Sequence, residues 1–155
     1  MITTKRGDGG ETDCGGRRVR KDDLLVEVIG EIDELKAILE MFGGDKGIIK
    51  DMGMIMGKLG TGKKFSIFNP PAGRAGFEFS IKKMEEEIEK SNVNLNKFVI
   101  FKTKKAKELN WVRTVCRRVE RRIVALSKKN KIDKNILKYF NRLSDYLFIK
   151  AFKNN

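Results

Sequence analysis

Two groups of residues in this chain have the types and spacing to act on an anionic substrate. The first is Arg113, Arg117 and Glu120, at i, i+4 and i+7. They flank the apolar series Leu109, Val112, Cys116, Val119, Ile123 and Leu126, whose steps of three and four mark the buried face of a helix. A guanidinium on the edge of a buried face is costly to desolvate unless a carboxylate or a phosphate meets it. Arg118, Arg121 and Arg122 point further outward, and for them a solvated basic face is the expectation. The second group is the N-terminal run Thr4-Lys5-Arg6-Gly7-Asp8-Gly9-Gly10-Glu11-Thr12, followed by Gly15-Gly16-Arg17-Arg18. So much glycine argues against a helix or strand interior. By composition alone the segment is a loose arm. The alternative is a phosphate-cradling loop, in which glycines bring backbone N–H groups close to oxyanions while Thr and Lys add donors and charge.

These residues need elements to hold them. Leu25, Val28, Ile32, Leu35, Leu39 and Phe42 predict a first helix over 22–42, with acids in its first turn and Gly43-Gly44 as its stop. Asp33 follows Ile32 as Arg113 follows Val112, and these matching flank positions let the carboxylate meet Arg113 across a helix interface. Ile48, Met52, Ile55 and Leu59 predict a second helix over 46–59, with Gly53, Gly57 and Gly60 on another face where a neighbour can approach closely. Residues 60–79, including Asn69-Pro70-Pro71, read as a linker whose Phe65, Ile67, Phe68, Phe77 and Phe79 pack on the helices. Ser80 is expected to cap a third helix reaching about residue 90, and Phe98-Val99-Ile100-Phe101 leads into the Arg-rich fourth. Asp133 caps the last, whose seam is Ile136, Phe140, Leu143, Leu147 and Ala151 and whose flank carries Asn141, Asp145 and Phe148. Five such seams without a convincing strand predict an all-α fold: a single domain over 1–155, an antiparallel five-helix bundle with a Gly-rich loop over 1–20.

Composition narrows the chemistry. Lys and Arg number 34 against 21 Asp and Glu, a net charge of +13, which favours polyanionic partners: nucleic acid, a membrane surface or nucleotide phosphates. The chain has no His, so His-based catalysis and His-containing zinc sites are excluded. Its two cysteines, Cys14 and Cys116, make no disulfide framework and suit a reducing compartment. No apolar run approaches a membrane span and the first residues lack a signal-peptide core, so a cytoplasmic protein is expected. Gly57-Lys58-Leu59-Gly60-Thr61-Gly62-Lys63-Lys64 nearly spells a P-loop, but Lys64 takes the Ser/Thr position and the segment ends a helix instead of leaving a strand. It is read as a decoy.

The run Arg113-Thr114-Val115-Cys116-Arg117-Arg118-Val119-Glu120-Arg121-Arg122, with Tyr139-Phe140-Asn141-Arg142-Leu143-Ser144-Asp145-Tyr146-Leu147-Phe148, resembles the C-terminal signature of the PduO-type ATP:cob(I)alamin adenosyltransferases. Thr4-Lys5-x-Gly7-Asp8-x-Gly10-x-Thr12 resembles their N-terminal ATP motif, and Lys21, Glu27, Gly30, Asp33, Glu34 and Leu35 match their first-helix pattern. The sequence departs from that pattern at Arg6, Leu25 and Lys36. It also has Phe101-Lys102-Thr103 where the family has a Pro-Gly-Gly turn, and Asn110 where the family has a His.

The resemblance implies a ferritin-like bundle that moves the 5′-deoxyadenosyl group of ATP to the cobalt of a reduced corrinoid, releasing triphosphate. It implies that Thr4, Lys5, Gly7, Asp8, Gly10, Thr12 and Lys21 hold the triphosphate, with Asp8 and Thr12 toward Mg²⁺. Arg117, Glu120 and Asn141 would orient ATP, Arg113 paired with Asp33 would act on the leaving phosphate, and Phe98 would line the corrinoid pocket. It further implies a homotrimer with sites between subunits and a reductase partner that supplies Co(I). The other readings are a non-catalytic homologue that binds ATP or a corrinoid, and a basic bundle that binds nucleic acid.

Overall fold

The computed structural model of the chain describes residues 5–61, 76–93 and 98–155. Among them lie a hairpin of β1 (Glu11–Cys14) and β2 (Arg17–Arg20) and five helices: α1 (Leu24–Met41), α2 (Lys46–Thr61), α3 (Gly76–Glu89), α4 (Lys104–Ser127) and α5 (Lys134–Lys153).

Three helix starts follow from their capping residues. The Asp23 carboxylate accepts the Leu25 N–H at 2.8 Å, Thr103 Oγ1 accepts the Ala106 N–H at 3.1 Å, and Asp133 accepts the Asn135 N–H at 2.9 Å. Each cap satisfies a donor that the first helical turn leaves free. The third helix differs from expectation. It begins at Gly76, so Ser80 lies inside it instead of capping it, and Phe77 and Phe79 belong to a helix instead of a linker. Phe77 is buried edge-on to Tyr139, with ring centroids 6.0 Å apart, whereas Phe79 is exposed. Two residues along a helix turn a side chain about 200° round the axis, so both rings cannot reach one core. Phe65, Ile67 and Phe68 lie outside the described residues.

The expectation of no strand is also corrected. Gly15 and Gly16 adopt φ of 64° and 75°, and two left-handed residues in a row make the hairpin turn whose twist matches paired strands. Cys14 then pairs with Arg17 and Thr12 with Val19 in an antiparallel register. The hairpin is seated on α2. A Cβ added to Gly15 would come within 2.5 Å of the Gly60 carbonyl oxygen, and Cys14 Sγ lies 3.8 Å from the same oxygen.

The helices close into a bundle in which α1 packs on α2 and α4, α4 on α5, and α3 on α5 and α2. Ile32 and Leu35 of α1, Met52 and Ile55 of α2, Val112 of α4 and Phe140 of α5 are wholly buried in one core. Arg118 and Arg122 are not merely a solvated face, as the spacing predicts. Arg118 pairs with Glu34, and Arg122 reaches Glu27 at 2.8 Å and Glu31 at 3.5 Å, so acids spaced along α1 meet arginines spaced along α4. Lys58, from the P-loop-like decoy, pairs with Asp133 at the start of α5 and lies 5.3 Å from the Phe77 ring centroid. Its ammonium holds two helix ends together.

One buried carboxyl has a consequence for stability. Asp51 of α2 is buried, and the Tyr139 hydroxyl donates to its Oδ2 at 3.3 Å. Burial pushes its pKa above the ordinary carboxylate value; hydrogen bonds from Ser80 of α3 and Tyr139 of α5 oppose that, Asp45 adds to it and Lys50 reduces it. The folded protein therefore binds this proton more tightly than the unfolded chain does. The stabilisation is fully present below the unfolded value of about 3.9, and it is lost as pH rises through the higher folded value. Urea unfolding over a pH series should show this downward slope just above the usual carboxylate range, and Asp51→Asn should flatten it. An identical slope in the variant would show that other groups are responsible.

Candidate functional site

Helix α4 carries Arg113, Arg117 and Glu120, and α5 carries Asn141, all beside the apolar seams on which these two helices pack. The pairing is direct at one point: Asn141 Nδ2 donates to Glu120 Oε1 at 3.0 Å. Arg113 is half-buried. Its Nε donates to Asn110 Oδ1 at 2.9 Å, and its guanidinium carbon stands 5.8 Å from the Phe148 ring centroid. Among the ion pairs of the described residues none involves Arg113, and burial, followed by the like charge of Arg117, lowers its pKa. Arg117 is exposed beside it. These flanks thus hold a partly desolvated guanidinium with no carboxylate paired to it, an exposed one next to it, and an amide–carboxylate pair. Such a set receives an anion bearing further hydrogen-bonding groups.

The N-terminal loop is a second, separate cradle. The Asp8 N–H donates to the Lys5 carbonyl at 3.3 Å and the Gly10 N–H to the Gly7 carbonyl at 3.2 Å, while the Lys21 N–H donates to the Gly10 carbonyl at 2.9 Å. Gly10 has a φ of 79°, left-handed backbone that glycine adopts without strain, and Lys5 has a φ of 56°, which a residue with a side chain adopts only at some cost. A Cβ on Gly7 would meet Lys21 Nζ at 3.2 Å, which shows how closely that ammonium lies against the loop. Lys5, Gly7, Asp8, Gly10, Thr12 and Lys21 are therefore gathered at one end of the hairpin. Thr4 lies outside the described residues. Arg6 turns to Asp13 at 3.2 Å, and its carbonyl accepts from Arg18, so this departure braces the hairpin.

Several expected neighbours do not meet within one chain. Asp33 is exposed, and Arg113 takes Asn110 as its polar partner instead. The hairpin turn, carrying Cys14 and Arg17, lines a cavity of about 650 Å³ with Lys58, Thr61, Lys131 and Asp133, and Arg113, Glu120 and Asn141 are not part of its wall. Among the described residues no group of three or more His, Cys, Asp and Glu could hold a metal ion. Phe98 is fully exposed on the segment leading into α4, as is much of Ile100. The flank positions of Glu120 and Asn141 were legible, but their pairing, like the role of Asn110 as the partner of Arg113, was not. The one signal for Asn110 was the spacing of three residues, which places two side chains side by side on a helix.

Comparison with known proteins gives this arrangement its context. The family model for cobalamin adenosyltransferases matches residues 2–154. The chain belongs to that family. It is 36% identical over 162 residues to the corrinoid adenosyltransferase of Bacillus subtilis, covering 97% of this chain and 84% of the relative. It is 32% identical over 171 residues to human corrinoid adenosyltransferase MMAB, covering 97% and 67%. Among solved structures it superposes with a TM-score of 0.81 on a variant PduO-type ATP:corrinoid adenosyltransferase from Lactobacillus reuteri complexed with cobalamin and ATP, 27% identical, covering 97% of this chain and 89% of that one. A second variant of that enzyme, complexed with ATP, gives a TM-score of 0.83 at 28% identity, covering 100% and 94%. The five-helix bundle and the function expected from the motifs stand with these comparisons. Among the described residues no helix is long and apolar enough to cross a membrane.

Proposed function

We infer that this chain transfers the 5′-deoxyadenosyl group of ATP to the cobalt of a reduced corrinoid. Family membership supports the reaction, and the observation that favours these residues for it is Arg113: a half-buried guanidinium engaged in no ion pair among the described residues, on the same helix as Glu120 of the Glu120–Asn141 pair. Co(I) is the nucleophile. Its electron pair forms the bond to C5′ while the C5′–O bond breaks and its electrons leave on triphosphate. The protein therefore needs neither a covalent nucleophile nor a general base, in keeping with a chain that has no His. Its work is orientation and stabilisation of developing phosphate charge.

Glu120 and Asn141 orient ATP, Arg117 and Arg113 receive its phosphates, and the loop of Thr4, Lys5, Gly7, Asp8, Gly10, Thr12 and Lys21 closes over the triphosphate. The Asp8 carboxylate and Thr12 hydroxyl are hard oxygen donors that fit Mg²⁺, which commonly takes only one or two protein ligands beside phosphate and water. When bound, Mg²⁺ neutralises part of the triphosphate charge. Phe98 lies on the corrinoid side. A separate reductase supplies Co(I), and the free thiols of Cys14 and Cys116 suit the reducing cytoplasm.

The site is completed between copies of the chain. Supporting this, the loop is bound to a hairpin seated at the end of α2, while Arg113 stands about 14 residues from the end of α4 nearest that hairpin's cavity, or roughly 21 Å by helical rise. A neighbouring copy would bring its loop to Arg113 and its Asp33 within reach, as a homotrimer does. Several arginines are engaged within the fold (Arg118, Arg122 and Arg142 all meet carboxylates), which argues against a nucleic-acid surface.

The test is spectroscopic formation of adenosylcobalamin from MgATP and cobalamin under reducing conditions, with sedimentation of the same sample. Product from a trimer is expected. Tight binding of ATP and cobalamin without product would identify a non-catalytic binder, and a stable lone subunit that turns over would end the inter-subunit reading.

A further inference from the structure

The segment entering α4 has neither the glycine nor the proline that would preset a turn, yet it is tied down from the far end of α5. The Asn155 side-chain amide grips the backbone on both sides of Phe101: its Nδ2 donates to the Ile100 carbonyl at 3.1 Å and its Oδ1 accepts the Lys102 N–H at 2.6 Å. This two-point contact imitates the pairing of an adjacent strand and fixes the backbone of the residue between. Next to it, Thr103 Oγ1 donates to the Asn154 carbonyl at 2.6 Å while also capping α4. With its backbone so held, Phe101 packs edge-on against Phe148, centroids 5.9 Å apart, and the Arg113 guanidinium lies over that same Phe148 ring. On the outer side of this braced strap stand Phe98 and Ile100, at 106% and 77% exposure, two large apolar side chains left exposed among the described residues.

We propose that Asn155 is a positioning residue for the corrinoid: by clamping the Ile100–Lys102 backbone it holds the strap that presents Phe98 and Ile100 to the apolar substrate. The assignment rests on the adenosyltransferase reading. Asn155 itself touches neither substrate. It acts by keeping the strap in its binding-competent arrangement, and apparent affinity falls in proportion to the fraction of molecules in which that arrangement is lost. Losing two hydrogen bonds of ordinary strength lowers the ratio of clamped to released strap by about tenfold, and affinity falls by up to that factor, in full where the released strap already predominates.

The experiment compares the full chain with Asn155→Ala, Asn155→Asp and Asn154→Ala in steady-state adenosylcobalamin formation, titrating cobalamin and ATP separately. Asn155→Ala should raise the KM for cobalamin by up to about tenfold while leaving kcat and the KM for ATP within about threefold of their unsubstituted values. Asn155→Asp should not rescue it, because the second oxygen would face the Ile100 carbonyl. Asn154→Ala should be close to unchanged: its side chain donates only to the Lys150 carbonyl, and its contact with Thr103 is through the backbone. Hydrogen exchange at the Lys102 amide should quicken in Asn155→Ala, because the substitution removes the oxygen this N–H donates to. An unaltered cobalamin KM, or a parallel loss for both substrates, would overturn the assignment, and unaltered Lys102 exchange would overturn the brace. If the unsubstituted chain makes no adenosylcobalamin, the functional reading fails and this one falls with it, while the exchange rates still report whether the strap is clamped.

Discussion

Arg113→Ala should lower kcat for adenosylcobalamin formation by about 10²–10³, the loss that follows removal of one well-placed donor to developing charge, ~2.7–4 kcal/mol. Three features make Arg113 the side chain with the most to lose. It is partly desolvated, so its attraction to an anion is less screened than that of exposed Arg117. It is aimed from two sides, by Asn110 Oδ1 at 2.9 Å and by the face of Phe148. It also makes no ion pair among the described residues, the charge of nearby Asp145 acting on it only at a distance, so no direct pair must be broken when phosphate arrives. Arg113→Lys keeps the charge but not the planar fork, and should fall between wild type and Ala. Thermal stability should change little in either variant, because a single hydrogen bond and a stacking contact are at stake. Near-normal turnover of Arg113→Ala, measured under reducing conditions at saturating ATP, would remove the role.

The largest effect on stability is expected at Phe140. Its ring is wholly buried, edge-on to Tyr139 with centroids 5.4 Å apart, and its carbonyl faces the buried Cys116 Sγ at 3.5 Å. Truncation of such a ring leaves a cavity that close-packed neighbours fill only in part, and commonly costs about 3–5 kcal/mol. For a chain of this size that lowers Tm by on the order of 10 °C. Phe140 immediately precedes Asn141, so slack at the α4–α5 contact should also loosen the Glu120–Asn141 pair and raise the KM for ATP. Calorimetry or thermal circular dichroism checks the first effect. A Tm lowered by less than about 3 °C would show that the interface collapses into the space. Phe140→Leu, which refills most of the volume, should recover much of the loss.

Helix count, helix order and the core were readable because apolar periodicity is a local property. Val112, Cys116, Val119 and Ile123 are all buried, as their three-four spacing requires, and Asp133 caps α5 where an acid before an apolar series should. The flank positions of Glu120 and Asn141 were equally readable, but that they face one another was decided by how α4 packs on α5. Less visible was the hairpin: Gly15 and Gly16 look like disorder in a one-dimensional reading, and only the pairing of Cys14 with Arg17 shows them to be a turn. Ser80 misled for a similar reason. A good capping residue sits inside α3 because Phe77 has a buried place against Tyr139, and that packing draws the helix back to Gly76.

The amino-acid order by itself determined that this chain forms an α-helical bundle, which faces of each helix are buried, and which arginines stand beside those faces. Tertiary structure alone decided the partners: Arg118 and Arg122 with the acids of α1, Lys58 with Asp133, Arg113 with Asn110 and Phe148, Asn155 with the strap before α4. Most of these contacts join residues dozens of positions apart, and they depend on how each helix is rotated and how far it slides against its neighbour. Periodicity specifies the buried stripe of a helix, but the side chains flanking that stripe acquire partners only when another stripe packs against it.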